Sequence, residues 1–175
     1  MGDLSDHFDK CEFRCKCGKN HEYNIDPELI NKLEKMHEMM DASAIIITSG
    51  FRCPEYSKSI GGFFNDAHTK GIAADIMVQR KATGTPYYNS NDVAECAERV
   101  GFTGIGIIDN FAVHVDIRND NNYVNNHWFG DERTGDDNIN TFFRGTVFDG
   151  ELNKNEKKHK ITVYYDGVLI SESEV

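Results

Sequence analysis

The run Asp66-Ala67-His68-Thr69-Lys70-Gly71-Ile72-Ala73-Ala74-Asp75-Ile76 constrains this chain more than any other stretch. It sets an imidazole and a carboxylate seven residues apart, and a third candidate ligand, His114, stands in Val113-His114-Val115-Asp116. Two imidazoles and one carboxylate are the donor set of a catalytic zinc ion that keeps one coordination position for water. The small residues matter as much as the ligands. Gly71 and Ala73 let the chain fold back closely, so that His68 and Asp75 can face one ion. Asp75 lies beside Ala73, Ala74 and Ile76, where an unpaired carboxylate would be costly to bury, so a metal, an Arg or a Lys must compensate it. The reading is Zn2+ held by His68, Asp75 and His114. A lone histidine is more often packed or solvated, and His7, His21, His37, His127 and His159 are read that way.

The 175 residues suit one domain with a small appendage, and 39% hydrophobic with 27% charged residues is the balance of a soluble globular chain. A net charge of −10 argues against nucleic acid, since neutralising phosphates needs clustered Lys and Arg. The one basic cluster, Lys154 to Lys160, is interrupted and reads as a solvated loop. The N-terminus lacks the charged and apolar regions of a signal peptide, and no stretch approaches the roughly twenty apolar residues of a membrane helix. The expectation is a monomer made soluble and unprocessed in the cytoplasm, or else a chain whose signal has been trimmed. Five cysteines, an odd number, argue against a full disulfide framework.

Asp26-Pro27-Glu28 is a helix start, and Leu29, Ile30, Leu33, Met36 and Met40 form its apolar stripe. Ala44 to Thr48 is a short buried strand ended by Ser49-Gly50, and Pro54 to Ser59 a short helix. A second strand runs from Ile72 to Val78, and Lys81 to Ser90 is a loop. Asp92 caps a helix, with Glu95 at capping-box spacing, that ends at Gly101. Strands follow at Ile105 to Ile108 and Ala112 to Arg118. In the latter Val113, Val115 and Ile117 share an apolar face, while Ala112, His114, Asp116 and Arg118 share the other. The expected fold is α+β: an antiparallel sheet carries the zinc site, and helices pack mainly on its other face. The Asn-rich stretch after residue 118, with Tyr123, His127, Trp128 and Phe129, is either a groove wall or an irregular excursion. Ile161 to Ser171 signals a β-hairpin around Asp166-Gly167. The expected division is 1–143 for the main domain and 144–175 for a β appendage.

Several spaced motifs, in order, resemble those of the zinc D-alanyl-D-alanine carboxypeptidase family. His68, Gly71, Ala73 and Asp75 match its S-x-H-x-x-G-x-A-x-D pattern, with Asp66 at the Ser position. Ile47 to Tyr56 is similar to its TSGYRSPEYN segment, Gly61-Gly62 and Asn65 to GGAxNSQH, and His114 to Arg118 to HVDxR. Glu12 to Gly18 is similar to an opening EFxCxCG segment. Within that segment Cys15 and Cys17, with Cys11 nearby, lack the C-x-x-C spacing usual for zinc. They are read as free thiols packing under the first helix, ahead of a second metal site. The resemblance spans about residues 8–118.

The resemblance implies a zinc peptidase acting on peptidoglycan stem peptides, as a D,D-carboxypeptidase or a phage-lysin-like endopeptidase at the bacterial cell wall. Such a chain would reach the wall by lysis or another route. Arg52 is implied to receive the substrate's C-terminal carboxylate, a task suited to a guanidinium fork. Family members place a Glu, Asp or His two or three residues before the third ligand as general base, where this chain has Ala112 and Phe111. Asp116 is the first candidate for that role and Asp109 the second. Asp116 is also suited to accept the other N–H of a ligating histidine. The alternative to catalysis is an inactive zinc-containing module that binds cell wall or a protein partner, like the related hedgehog domains.

Overall fold

The computed structural model describes residues 2–81, 86–119, 127–156, 160–165 and 168–174, with side chains described up to residue 152 and at 154. A 3-10 turn at Lys10–Phe13 is followed by α1 (Pro27–Met39), β1 (Ala42–Ser49), α2 (Pro54–Ser59) and β2 (Ala73–Arg80). Then come α3 (Ser90–Val100), β3 (Gly104–Ile107), β4 (Ala112–Asp116), β5 (Trp128–Asp131), α4 (Asp149–Glu156), β6 (Lys160–Tyr165) and β7 (Val168–Glu174). Five strands form one sheet in the order β1-β2-β4-β3-β5, antiparallel except where β5 runs parallel to β3. The expected α+β fold is present, and its expected antiparallel sheet is mostly so, the exception being the parallel β3–β5 pair.

The helices form where local chemistry asks for them. Asp26 caps α1, its side chain accepting from the Glu28 amide at 2.9 Å, and Pro27 occupies the first turn, where its missing N–H costs nothing. Leu29, Ile30, Leu33 and Met36 bury one stripe of α1. At α3 the cap is Asn89 rather than the expected Asp92: the Asn89 carboxamide oxygen accepts from the Asp92 amide at 3.0 Å. Gly101 ends α3 in the left-handed conformation, as its position predicts. One face of the sheet, with Ile45, Ile76, Val78, Val113, Val115, Ile105 and Ile107, joins α1 and α3 in a single buried cluster. Each such side chain, when fully buried, contributes about 1.5–3 kcal/mol.

Three further differences concern the chain's second half. Trp128–Asp131, read as either wall or excursion, is a strand of the sheet. Within the expected appendage, residues 144–152 are tied to the main body. The amides of Gly145 and Thr146 each donate to Glu95 Oε1 at 3.0 Å, and Phe148 joins the central cluster. Lys154, read as part of a solvated loop, lies in α4 and pairs with Glu38 at 2.9 Å. β6 and β7 pair antiparallel as the hairpin signal predicts, while Asp166-Gly167 lie outside the described residues, as do residues 120–126 with Tyr123. Among the described residues no helix is long and apolar enough to cross a membrane.

Glu95 is therefore not a capping-box residue but a buried carboxylate that anchors the 144–148 segment. Burial pushes its carboxyl up, but hydrogen bonds from the Thr146 side chain and backbone and from Arg99 outweigh this and hold it at about 2, against an ordinary 4.5. The stabilisation is complete above the unfolded value near 4.5 and is lost as pH falls from there through about 2. Glu95→Gln should lower stability at pH 7 by roughly 3 kcal/mol. In thermal melts the gap to wild type should close as pH is lowered toward 3, whereas a pH-independent gap would place the loss in packing.

Candidate metal centre

β2 and β4 pair so that Asp75 stands directly opposite His114, and Ala73 opposite Asp116. Side chains in such positions share a face. On the β1 side a register shift between Ile47 and Ser49 brings Ser49 opposite Asp75. His68 arrives from the loop before β2. The turn at Gly71 has φ +70, and a Cβ there would meet the Asn24 carbonyl oxygen at 2.0 Å. Only glycine fits that approach. Asp66, at the Ser position of the family pattern, ties this loop down: it accepts from the Thr69 amide at 3.0 Å and from the Ser57 hydroxyl.

Three of the residues named from the sequence come together. His68 Nε2 lies 3.2 Å and His114 Nδ1 2.9 Å from Asp75 Oδ1, and the two nitrogens are 3.1 Å apart. Donors around a tetrahedral ion with bonds of ~2.0–2.1 Å stand ~3.3 Å apart, so the triangle has the right size. Its chemistry agrees. His68 Nδ1 is 2.8 Å from the Gly50 carbonyl oxygen, so that nitrogen carries the proton and Nε2 presents a lone pair. His114 Nε2 is 2.9 Å from Asp116 Oδ2 and donates to it, leaving Nδ1 to face the triangle. Three acceptors that converge this closely need a cation between them, either a proton or a metal ion.

The charges around the triangle are arranged accordingly. Burial opposes the charged form of Asp75, but its contacts with His114, and then with His68, hold its carboxyl far below the ordinary range. Desolvation would lower the pKa of His114, yet Asp116 and Asp75 raise it to about 9. Burial likewise opposes ionisation of Asp116, which His114 and Arg118 overcome, keeping it well below the usual carboxylate range. A divalent ion held by these residues would take the place of the proton on His114 and satisfy the same acceptors with twice the charge.

Arg52, the expected substrate clamp, points into the same cluster. Its Nη2 donates to Asp75 Oδ2 and its Nε to Ser49 Oγ at 2.9 Å, so its partner is neither Glu55 nor Asp66. Asp116 is 0% exposed and lies on the opposite side of the His114 ring from His68 and Asp75, with Arg118 donating to both its oxygens. That is the ring-holding position. Asp109 Oδ1 accepts from the amides of Phe111 and Ala112 at 2.8 and 2.7 Å, so its carboxylate is engaged by its own turn.

Sequence reasoning did not single out the floor of the site. Gly104 and Gly106 lie on β3 opposite Asp116 and His114. A Cβ at Gly104 would meet the Asp116 carboxylate at 2.2 Å, and one at Gly106 would meet the Trp128 ring at 2.9 Å. The alternation Gly104-Ile105-Gly106-Ile107 was the available signal, with apolar residues to the core and bare backbone under the site. Trp128 stands edge-on to His114, ring centres 6.1 Å apart, and Arg118 covers its face at 4.9 Å.

The family model described as Peptidase M15 matches residues 6–116. The matched span holds all three triangle residues and Arg52, and the chain belongs to that family of metallopeptidases. No curated protein matches it.

Asp116→Asn keeps the shape of the buried group but removes the charge that backs His114, and Gly104→Ala pushes the carboxylate out of place. Each should weaken metal binding about 10–100-fold, the usual cost of losing such a supporting partner. Competition with a chromophoric chelator measures this; unchanged affinity in both variants would mean that His114 needs no backing.

Proposed function

We infer that this chain is a zinc peptidase that hydrolyses peptide bonds in peptidoglycan stem peptides at the bacterial cell wall. The observation that carries the reading is the convergence of His68 Nε2, Asp75 Oδ1 and His114 Nδ1 within 2.9–3.2 Å, with the outer nitrogen of each ring already committed. These residues would hold the ion, and zinc there supplies Lewis acidity toward a peptide carbonyl and toward water. Two imidazoles and one carboxylate leave room for a substrate ligand, unlike a closed structural site.

The chain's own groups then divide the remaining work. Gly50 and Asp116 fix the two imidazoles. Arg52, held in plane by Ser49 and Asp75, offers Nη1 to an incoming carboxylate. Trp128 screens one side of His114 from water. Asp116 is better suited to orienting His114 than to accepting a proton from substrate or water. One observation favours the second reading, a zinc-containing module without activity. Both candidate bases are engaged elsewhere, Asp116 with His114 and Arg118, and Asp109 with its turn.

Mass spectrometry of muropeptides incubated with the zinc-loaded protein separates these readings. Loss of a terminal D-Ala identifies a carboxypeptidase, and a split stem or cross-link an endopeptidase. Both activities should vanish in His68→Ala. Intact muropeptides, together with retained binding to sacculi, would establish the module instead.

Arg52→Lys keeps the charge but not the fork. For a carboxypeptidase it should lower kcat/KM on substrates with a free C-terminal carboxylate by roughly 10–100-fold, the worth of a charge-assisted hydrogen bond of about 1.5–3 kcal/mol. Metal content is measured alongside, because Arg52 also touches Asp75. Equal loss on amidated substrates would move Arg52 from substrate binding to support of Asp75.

A further inference from the structure

A second group of metal-type donors lies outside the triangle. Cys15 and Cys17 follow the 3-10 turn, His21 comes four residues after Cys17, and Cys53 is the residue before α2. Their three sulfurs and one ring nitrogen all lie within 4.8 Å of one another. His21 Nε2 is 3.0 Å from Cys17 Sγ. All three thiols are free, and Cys15 and Cys53 are buried. His21, read from the sequence as an ordinary histidine, is thus drawn into a thiol cluster.

Two backbone amides are aimed at the sulfurs. Cys53 N–H donates to Cys15 Sγ at 3.2 Å, and Lys19 N–H to Cys17 Sγ at 3.4 Å. Amide donors of this kind stabilise thiolate, the form that binds metal. The left-handed turn at Gly18, φ +80, brings the Lys19 amide round to Cys17. Simple apolar packing of thiols would require neither the amides nor the imidazole. A disulfide would use two of the sulfurs and leave the third beside the histidine.

We propose that Cys15, Cys17, His21 and Cys53 form a closed metal site that holds a structural zinc ion. Cys3His is a donor set of structural tetrahedral zinc, and thiolates reject Mg2+ and Ca2+. Zinc–sulfur bonds of ~2.3 Å place sulfurs ~3.8 Å apart, within the observed spread. Binding releases the three thiol protons to solvent. Three thiolates and one Zn2+ carry a net −1, and Arg14, Lys16 and Lys19 interleave the ligands in sequence.

The ion would pin the N-terminal loop to the segment Ser49 to Cys53. Those two pieces already meet closely. Phe51 N–H donates to the Phe13 carbonyl at 2.7 Å, Tyr23 stacks on Phe51 with ring centres 5.2 Å apart, and a Cβ at Gly50 would meet Phe13 Cα at 2.5 Å. The same segment supplies the Gly50 carbonyl to His68 and carries Arg52. The site is structural for the peptidase centre and separate from it.

Cobalt substitution of the full-length protein tests the proposal. The wild type should bind two equivalents of Co2+ per chain and show thiolate-to-cobalt charge-transfer absorption. The His68→Ala, His114→Ala double variant should keep one equivalent and that band in full. Cys17→Ser should lose most of it. In case Cys17→Ser does not fold, thiol titration of the folded wild type gives a second measurement. Cys15, Cys17 and Cys53 should resist a thiol reagent when zinc-loaded and react after chelation. Absence of the charge-transfer band, thiol reactivity indifferent to metal, or a disulfide among the three in unreduced protein would each overturn the site. A chain inactive on muropeptides that still shows the band leaves this site standing and removes only the peptidase reading.

Discussion

Asp75 and His114 face each other across neighbouring antiparallel strands, where side chains on one face approach to about 5 Å. Every other group at the centre is arranged around that pair. Its position is set from the opposite face of the sheet. Ile76, Val78, Val113, Val115, Ile105 and Ile107 bury against α1 and α3, and a one-residue slip of β4 would send Val113 and Val115 to the polar side and His114 into the core. The hydrophobic effect on one face thus fixes the register of the chemistry on the other. Arg52, Arg118 and the imidazoles then balance two carboxylates that could not be buried alone.

The two histidines reach the triangle through different nitrogens. His68 uses Nε2 because Gly50 occupies Nδ1, and His114 uses Nδ1 because Asp116 occupies Nε2. A neutral carbonyl backs one ring and an ionised carboxylate the other, so His114 is the more basic donor. This difference is built into the backbone on one side and into a buried ion pair on the other. Neither ring can turn over without leaving a buried partner unpaired.

Much of this was legible in the sequence, for physical reasons. The cap at Asp26-Pro27, the alternation through β4 and the small residues of the His68 run are local constraints, and local constraints are written locally. The features that escaped depend on distant partners. Asp92 has the composition of a cap, but Asn89 takes the role and frees Glu95 for Thr146, fifty-one positions on. β5 hides in a polar stretch because its partner is β3, and its parallel pairing leaves no turn signal. The role of Asp116 was open between proton transfer and ring support because a sequence does not say on which side of an imidazole a carboxylate falls. The thiol cluster escaped because Cys15 and Cys17 lack the usual spacing, and their partner Cys53 is 38 residues from Cys15.

The segment Ser49 to Cys53 is where these demands meet. Ser49 steadies Arg52, Gly50 sets the tautomer of His68 and tolerates no side chain against Phe13, Phe51 stacks on Tyr23, and Cys53 reaches the N-terminal loop. Outside the segment these five consecutive residues answer to His68, Phe13, Tyr23, Cys15 and, through Arg52, Asp75. Such a stretch has almost no neutral directions in which to drift. A side-chain change at any of these positions would disturb a contact on which the centre or the N-terminal loop rests, so specificity would have to be altered from residues elsewhere on the rim.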